Sequence, residues 1–164
     1  MKKKDIEAIL EALSGDEETG TKTDEEILKE IRTKEDRAKR RVRRRYQDVE
    51  TSAIVELFRR AVVIHAQHLQ AGEGSKARKA QEEVMGIAYE LHERNGLFGL
   101  AKFLRDGDEH VRVMAAYYVH DFMPDEAKKA LQILSGSEEL YIRINAGNAL
   151  DEWFGIPGRN SDEA

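Results

Sequence analysis

Cysteine is absent from this chain of 164 residues, and proline occurs only twice. Without cysteine the chain can form no disulfide, no thiolate metal site and no cysteine nucleophile. It has no run of about 20 apolar residues, the length that a membrane-spanning helix needs. The basic start, MKKK, is followed by Asp5, Glu7 and Glu11, which interrupt any apolar core of a signal peptide. These absences lead us to expect a soluble, cytoplasmic protein.

Charge is what the sequence has in abundance. Charged residues make up 36% of the chain and aromatic residues only 7%, and the formal net charge is −5. Frequent Ala, Leu, Glu, Lys and Arg, with little clustering of β-branched residues, favour an all-α protein. The length allows one domain with a hydrophobic core and an additional segment.

The first 50 residues predict a helical extension. Its first apolar residues have the spacing of one face of a short helix: Ile6, Ile9, Leu10 and Leu13. Residues 14–22 are polar and contain glycine, which predicts a flexible linker. Thr23 and Glu26 then form a capping box, so a second helix should begin there. A narrow apolar seam continues from it through Val42, Tyr46, Val49 and Ala53.

A basic run lies within this extension. Eight of the twelve residues from Lys34 to Arg45 are Lys or Arg. Four acid-first pairs at i,i+4 account for its first part: Glu25–Lys29, Glu30–Lys34, Glu35–Lys39 and Asp36–Arg40. Four arginines remain in excess: Arg41, Arg43, Arg44 and Arg45. Such a surplus is typical of a solvated helix face, of a surface that contacts an acidic protein, or of a surface that binds the phosphates of a nucleic acid.

Beyond Thr51 the chain predicts a helical domain at residues 51–155 and a frayed tail at 156–164. Helices are expected at about 52–71 and 77–95, where Asn95-Gly96 is a stop. Shorter helices should follow at 97–105, 109–122, 125–135 and 138–154.

An internal repeat relates the last two hairpins. At an offset of 31 residues, Val111 aligns with Ile142, Ala115 with Ala146, and Val119 with Leu150. The small residues should let helices approach closely. Two arginines four residues beyond an acid predict the ion pairs Asp108–Arg112 and Glu139–Arg143. A repeated helical hairpin of this period is typical of an α-solenoid.

The pattern D-x-x-V-R-x-x-A-A resembles HEAT repeats. Residues from about 52 to 155 also resemble a family of small bacterial HEAT-like proteins known only as a domain of unknown function. Two motifs carry that resemblance: E-L-x-x-R-x-G (Glu90, Leu91, Arg94, Gly96) and A-x-x-x-L-x-x-W (Ala146, Leu150, Trp153). The resemblance implies a HEAT-like α-solenoid and a binding scaffold. Small bacterial scaffolds of this kind include immunity proteins and antitoxins that occlude a cognate toxin.

No motif in the sequence predicts catalysis. His65 and His68 lie one helical turn apart but have no third metal ligand at helical spacing. Asp106, Asp108 and Glu109 resemble the start of a calcium loop without its closing glutamate. Residues 71–76 lack the spacing of a phosphate-binding loop. We therefore predict no enzyme, no metal site and no cofactor.

The remaining candidate is a surface on the second helices of the hairpins. The residues expected to form one ridge are Tyr89, Glu93, Val113, Tyr117, His120, Ile144, Asn148 and Asp151. Exposed Tyr, Val and Ile among acids suit a protein partner, and the acids suit a basic one such as a toxin. Burial of Val113 and Ile144 by neighbouring helices is the alternative. In place of protein binding, Arg41 to Arg45 could bind nucleic acid, or the apolar seam could join a larger assembly.

Overall fold

The computed structural model describes residues 23–157, without the side chain of Glu35. The helix predicted at residues 6–13, the linker at 14–22 and most of the predicted tail lie outside these residues. The described elements are α1 (Asp24–Tyr46), α2 (Thr51–Gln70), α3 (Gly74–Glu93), a 3-10 helix (Leu97–Arg105), α4 (Glu109–Val119), α5 (Pro124–Leu134) and α6 (Leu140–Phe154). Residues 23–157 contain no strand, which confirms the all-α prediction.

The first described helix begins at the predicted capping box. The amide of Thr23 donates to the Glu26 carboxylate at 3.0 Å, and the Thr23 hydroxyl accepts from the amide of Glu26 at 3.3 Å. The predicted seam is wrong beyond Tyr46, because α1 ends there and residues 47–50 form a turn. Ala53 lies exposed on the separate helix α2.

The chain divides into two compact units between Arg37 and Ala38. This boundary lies earlier than the one predicted after residue 50. In the second unit, Val42 and Tyr46 of α1 are buried in the hydrophobic core, so the end of α1 belongs to the helical domain. In the first unit, the acid-first pair Glu30–Lys34 is formed at 2.9 Å.

Packing arranges the helices of the second unit in two layers. Helices α2, α4 and α6 contact one another in succession, and α3, the 3-10 helix and α5 form the other layer. The side chains between them include the fully buried Phe58, Ile87, Leu91, Leu131 and Ile142. In the described residues, each helix is too short or too polar to span a membrane.

The repeated small residues lie where the sequence places them. Ala115 of α4 and Ala146 of α6 are both 0% exposed, and α4 contacts α6. The predicted arginine pairs are wrong, however. The Asp108 carboxylate instead caps α4, accepting from the amides of His110 at 2.8 Å and Val111 at 3.3 Å. It satisfies amides that a helix start leaves without partners.

The two arginines find other partners. Arg112 reaches Glu109 at 3.3 Å, one residue closer in sequence than expected. Arg143 donates to the carbonyl oxygens of Ser137 at 2.8 Å and Glu138 at 3.3 Å. Arg112 therefore pairs within the first turn of α4, whereas Arg143 holds the turn that precedes α6.

Asn95 ends α3 as predicted, with a φ of 54°. The next amide, of Gly96, donates to the carbonyl of Leu91 at 2.6 Å. Gly96 is required for space, because a Cβ there would lie 2.6 Å from Cγ2 of Thr51. The stop thus places the start of α2 directly against the end of α3.

Arg94 joins the end of α1 to the end of α3. Its guanidinium donates to Glu90 at 2.7 Å, and to the carbonyl oxygens of Tyr46 and Val49 at 2.6 Å each. The Tyr46 carbonyl at the end of α1 lacks a donor within the helix. The amide of Val49 donates to it at 3.0 Å, and Arg94 adds a second donor. This explains physically why Glu90 and Arg94 occur together in the sequence motif.

Candidate protein-binding face

Trp153 is the centre of an aromatic cluster between α4 and α6. Its ring stacks on that of His120 with a centroid separation of 3.8 Å and an angle of 5°. The ring of Tyr117 meets it edge-on at 4.5 Å. The imidazole is held in place by its Nδ1, which lies 2.8 Å from the carbonyl oxygen of Tyr117. Two residues of the predicted ridge, Tyr117 and His120, therefore contact the neighbouring helix.

Val113 does not belong to an exposed surface, and its prediction is wrong. It is 1% exposed. It lies four and seven residues before Tyr117 and His120, on the same side of α4, and both of those side chains touch α6. This side of α4 is covered because another helix packs against it.

The repeat-related residues of α6 are exposed. Ile144 aligns with Val113 at the offset of 31, yet 40% of its surface is accessible. Ile144 and Trp153 are about two and a half turns apart and so project from opposite sides of α6. Among the described residues no helix follows α6, and Ile144 is exposed on this second side.

We call this second side the outward face of α6: Leu140, Ile144, Asn148 and Asp151. All four are exposed, Leu140 by 59%. The last three were predicted from the sequence, whereas Leu140, which precedes Ile144 by one helical turn, was not. The face combines two large apolar side chains with polar neighbours, which is the composition of a contact surface.

The end of α6 carries two acidic side chains, with the ammonium of Lys128 5.8 Å from the centre of the Phe154 ring. Asp151 and Glu152 are exposed in the last turn of α6, which contains no basic residue. The C-terminal end of a helix carries the negative pole of its dipole, so these carboxylates add to that potential. The outward face therefore offers apolar contact beside a site that attracts cations.

The first part of the predicted ridge lies elsewhere. Tyr89 and Glu93 are on α3, which packs with α2 and the 3-10 helix. The ring of Tyr89 has the ammonium of Lys39 above it at 4.5 Å, and Glu93 is 3.6 Å from His92. The ridge predicted as one surface is thus divided among α3, the α4–α6 contact and the outward face.

Three of the four surplus arginines, Arg41, Arg44 and Arg45, project within about 100° of one another around α1, and Arg43 projects apart from them. At about 100° per residue, Arg43 and Arg45 project roughly 160° apart around α1, and Arg44 lies between them on the side away from Val42. Arg45 forms an ion pair with Glu83 at 2.6 Å. Arg41, Arg43 and Arg44 are exposed. A phosphate backbone following one side of α1 would meet only part of this set.

The two histidines considered as metal ligands face different neighbours. His65 is 3% exposed and lies near the ring of Tyr141, which stacks on the equally buried His110 at 5.7 Å. His68 contacts Glu73 through Nδ1 at 2.6 Å. Within the described residues no group of three His, Asp or Glu side chains could hold a metal ion.

Burial lowers the pKa of His65 below its ordinary 6.5, and the nearby His110 and His68 lower it further. The folded state therefore favours neutral His65. Its contribution to stability is complete above pH 6.5 and falls as the pH drops, because the unfolded chain then binds the proton more readily. We expect the urea midpoint to fall between pH 7.5 and pH 5, and to fall less in His65→Leu. Equal losses in both proteins would assign the acid sensitivity to other groups.

Comparison with known proteins adds information on the fold. No family model and no curated protein matches the chain. A similar solved structure is the crystal structure of the protein RPA1889 from Rhodopseudomonas palustris CGA009, with a TM-score of 0.64 and 21% sequence identity. The match covers 73% of this chain and 97% of that one. At this identity the likeness shows that most of the chain shares its helical fold with the Rhodopseudomonas protein.

Proposed function

We propose that this protein is a non-enzymatic, HEAT-like scaffold that binds a basic partner protein on the outward face of α6. The observation that carries the proposal is the contrast between Val113 and its repeat counterpart Ile144. One is 1% exposed and the other 40%. Among the described residues, a repeat position that is buried in one hairpin is exposed in the next, so the hairpin of α5 and α6 offers a contact for another protein.

The chemistry of the face indicates the kind of partner. Leu140 and Ile144 supply the apolar centre that protein interfaces bury. Asp151 and Glu152 at the negative end of the helix attract Lys and Arg side chains. The most concrete form of this function is that of an immunity protein or antitoxin, which neutralises a cognate cationic toxin by stoichiometric binding.

In the experiment, the tagged protein is first recovered from cells that encode it. The partner that is recovered with it is then identified and purified. Ile144→Asp should then weaken the measured affinity by about 2 kcal/mol or more, because it places a charge in the buried centre of the contact. Asp151→Lys should mainly slow association, because charges at the rim steer the encounter. Tyr117→Ala tests whether the contact extends to the aromatic cluster.

Ile133→Asp is the matched control, since Ile133 is 69% exposed on α5, outside the outward face. It should bind as wild type does. A partner that binds Ile144→Asp and Asp151→Lys with unchanged affinity and rate would show that the outward face is not its site.

A further inference from the structure

A groove lies between the end of α1 and the helices α2 and α3, away from the outward face of α6. Its volume is about 660 Å³, and its floor is apolar: Leu57, Ala61, Ile64, Ala80 and Ile87. Ile64 is 49% exposed, which is unusual for the middle of a helix that otherwise supplies the core. Leu57 and Ala80 are partly exposed, whereas Ala61 and Ile87 are buried, so the accessible apolar surface of the groove is centred on Ile64.

The rim of this groove is basic. Four cationic side chains line it, Arg45, Arg60, Lys76 and Lys79, against one carboxylate, that of Glu83. Glu83 is already engaged, by the guanidinium of Arg45 at 2.6 Å and by the hydroxyl of Tyr46 at 2.8 Å.

The four cationic side chains differ in their ion pairs. Lys76 contacts Glu73 at 2.6 Å, and Arg45 holds Glu83. Arg60 and Lys79 are exposed and form no ion pair with the described residues. They lie on the two helices that flank the apolar floor, one on α2 and one on α3. The charge left uncompensated at the groove is therefore positive.

We propose that this groove binds an acidic amphipathic helix of a partner protein. Helices that dock in grooves bury a stripe of apolar residues spaced three and four apart, and Leu57, Ile64 and Ala80 offer apolar surface to such a stripe. Their acidic flanks would meet Arg60 on one side and Lys79 on the other. Charge complementarity on both sides of an apolar floor is what selects this occupant.

A nucleic acid fits the same groove less well. Phosphates would use the cations, but a phosphate backbone has nothing to place on Ile64 and its apolar neighbours. The Glu83 carboxylate, half-buried between Arg45 and Tyr46, would repel phosphate in the groove. The partner of the groove is acidic, whereas the partner proposed for the outward face of α6 is basic. An experiment can therefore overturn one of the two proposals and leave the other standing.

The test uses fluorescence anisotropy of a labelled peptide of about 18 residues, long enough to form a helix. Leu occupies its i, i+3, i+4 and i+7 positions and Glu its flanks. A second peptide carries Lys in place of Glu, and a third probe is a labelled single-stranded DNA. We expect the acidic peptide to bind and the Lys peptide not to bind. Ile64→Asp and the double change Arg60→Glu/Lys79→Glu should each weaken the acidic peptide about tenfold or more.

Matched controls separate the groove from general charge and exposure effects. Met85 is 50% exposed on the other side of α3, so Met85→Asp should bind as wild type does. Arg105→Glu/Lys129→Glu repeats the double charge reversal outside the groove and should have less effect. Failure of the acidic peptide to bind would overturn the proposal, as would equal weakening by Met85→Asp. DNA binding that survives Ile64→Asp, with no peptide binding, would assign the cations to nucleic acid and overturn it too.

Discussion

Replacing Arg94 by methionine is expected to lower the free energy of unfolding by about 3–5 kcal/mol, the cost of leaving a buried charge without its partner. The Glu90 side chain is 5% exposed, and its Oε2 atom has no hydrogen-bond partner among the described residues. Arg94 is thus the cation that offsets the burial of this carboxylate. Its loss also removes the side-chain donor to the carbonyl of Val49 and one of the two donors to the carbonyl of Tyr46, which keeps the amide of Val49.

Urea denaturation of Arg94→Met measures this loss. Arg78→Met, an exposed arginine on the same helix, is the control and should stay within about 0.5 kcal/mol of wild type. The double variant Glu90→Leu/Arg94→Met should recover part of the loss, since it buries no charge. A single variant as stable as wild type would show that the guanidinium contributes only surface hydrogen bonds.

Gly86→Leu is the second change with a large expected effect, a loss of about 3 kcal/mol from overpacking. Gly86 is buried where α3 meets α1, and a Cβ at this position would lie 2.5 Å from Cγ2 of Val42. The β-branched valine has few rotamers into which it can move away. The two helices can approach this closely only because α3 carries no side chain here.

Thermal or urea unfolding of variants at Gly86 and at Val42 tests the contact between these two residues. Gly86→Ala should also destabilise, but in a Val42→Ala background it should stabilise, since alanine favours the helix by about 1 kcal/mol over glycine. Gly74→Leu, on the same helix with no atom within 4 Å of the added Cβ, should cost little. If Gly86→Ala destabilised equally in both backgrounds, Val42 would not be the obstacle.

Local features of this fold could be predicted from the sequence because each depends on residues close together in the chain. The Thr23–Glu26 capping box and the Asn95 helix stop involve only three or four neighbouring residues. The buried Ala115 and Ala146 followed from a repeat that both hairpins share. The ion pair predicted for Arg112 is not formed, because the Asp108 carboxylate caps α4 and accepts from the amide of His110.

The functional surface was predicted only in part, because exposure depends on which helix packs next. Val113 and Ile144 occupy the same position of the repeat, and the pattern gives no reason to treat them differently. Only the packing shows that, among the described residues, Val113 is buried and Ile144 is exposed. The groove could not be predicted at all, since its lining combines residues 45–46, 57–68 and 76–87 from three helices.

The stacking of Trp153 on His120 has an optical consequence. Trp153 is the sole tryptophan of the chain, so all indole emission originates at the junction of α4 and α6. A neighbouring imidazole quenches indole fluorescence, and the ring separation of 3.8 Å places this quencher in direct contact. A ligand that shifts α6 would change the emission intensity, whereas one held between α2 and α3 would leave it constant. The molecule therefore carries an intrinsic reporter that distinguishes its two candidate sites without any attached dye.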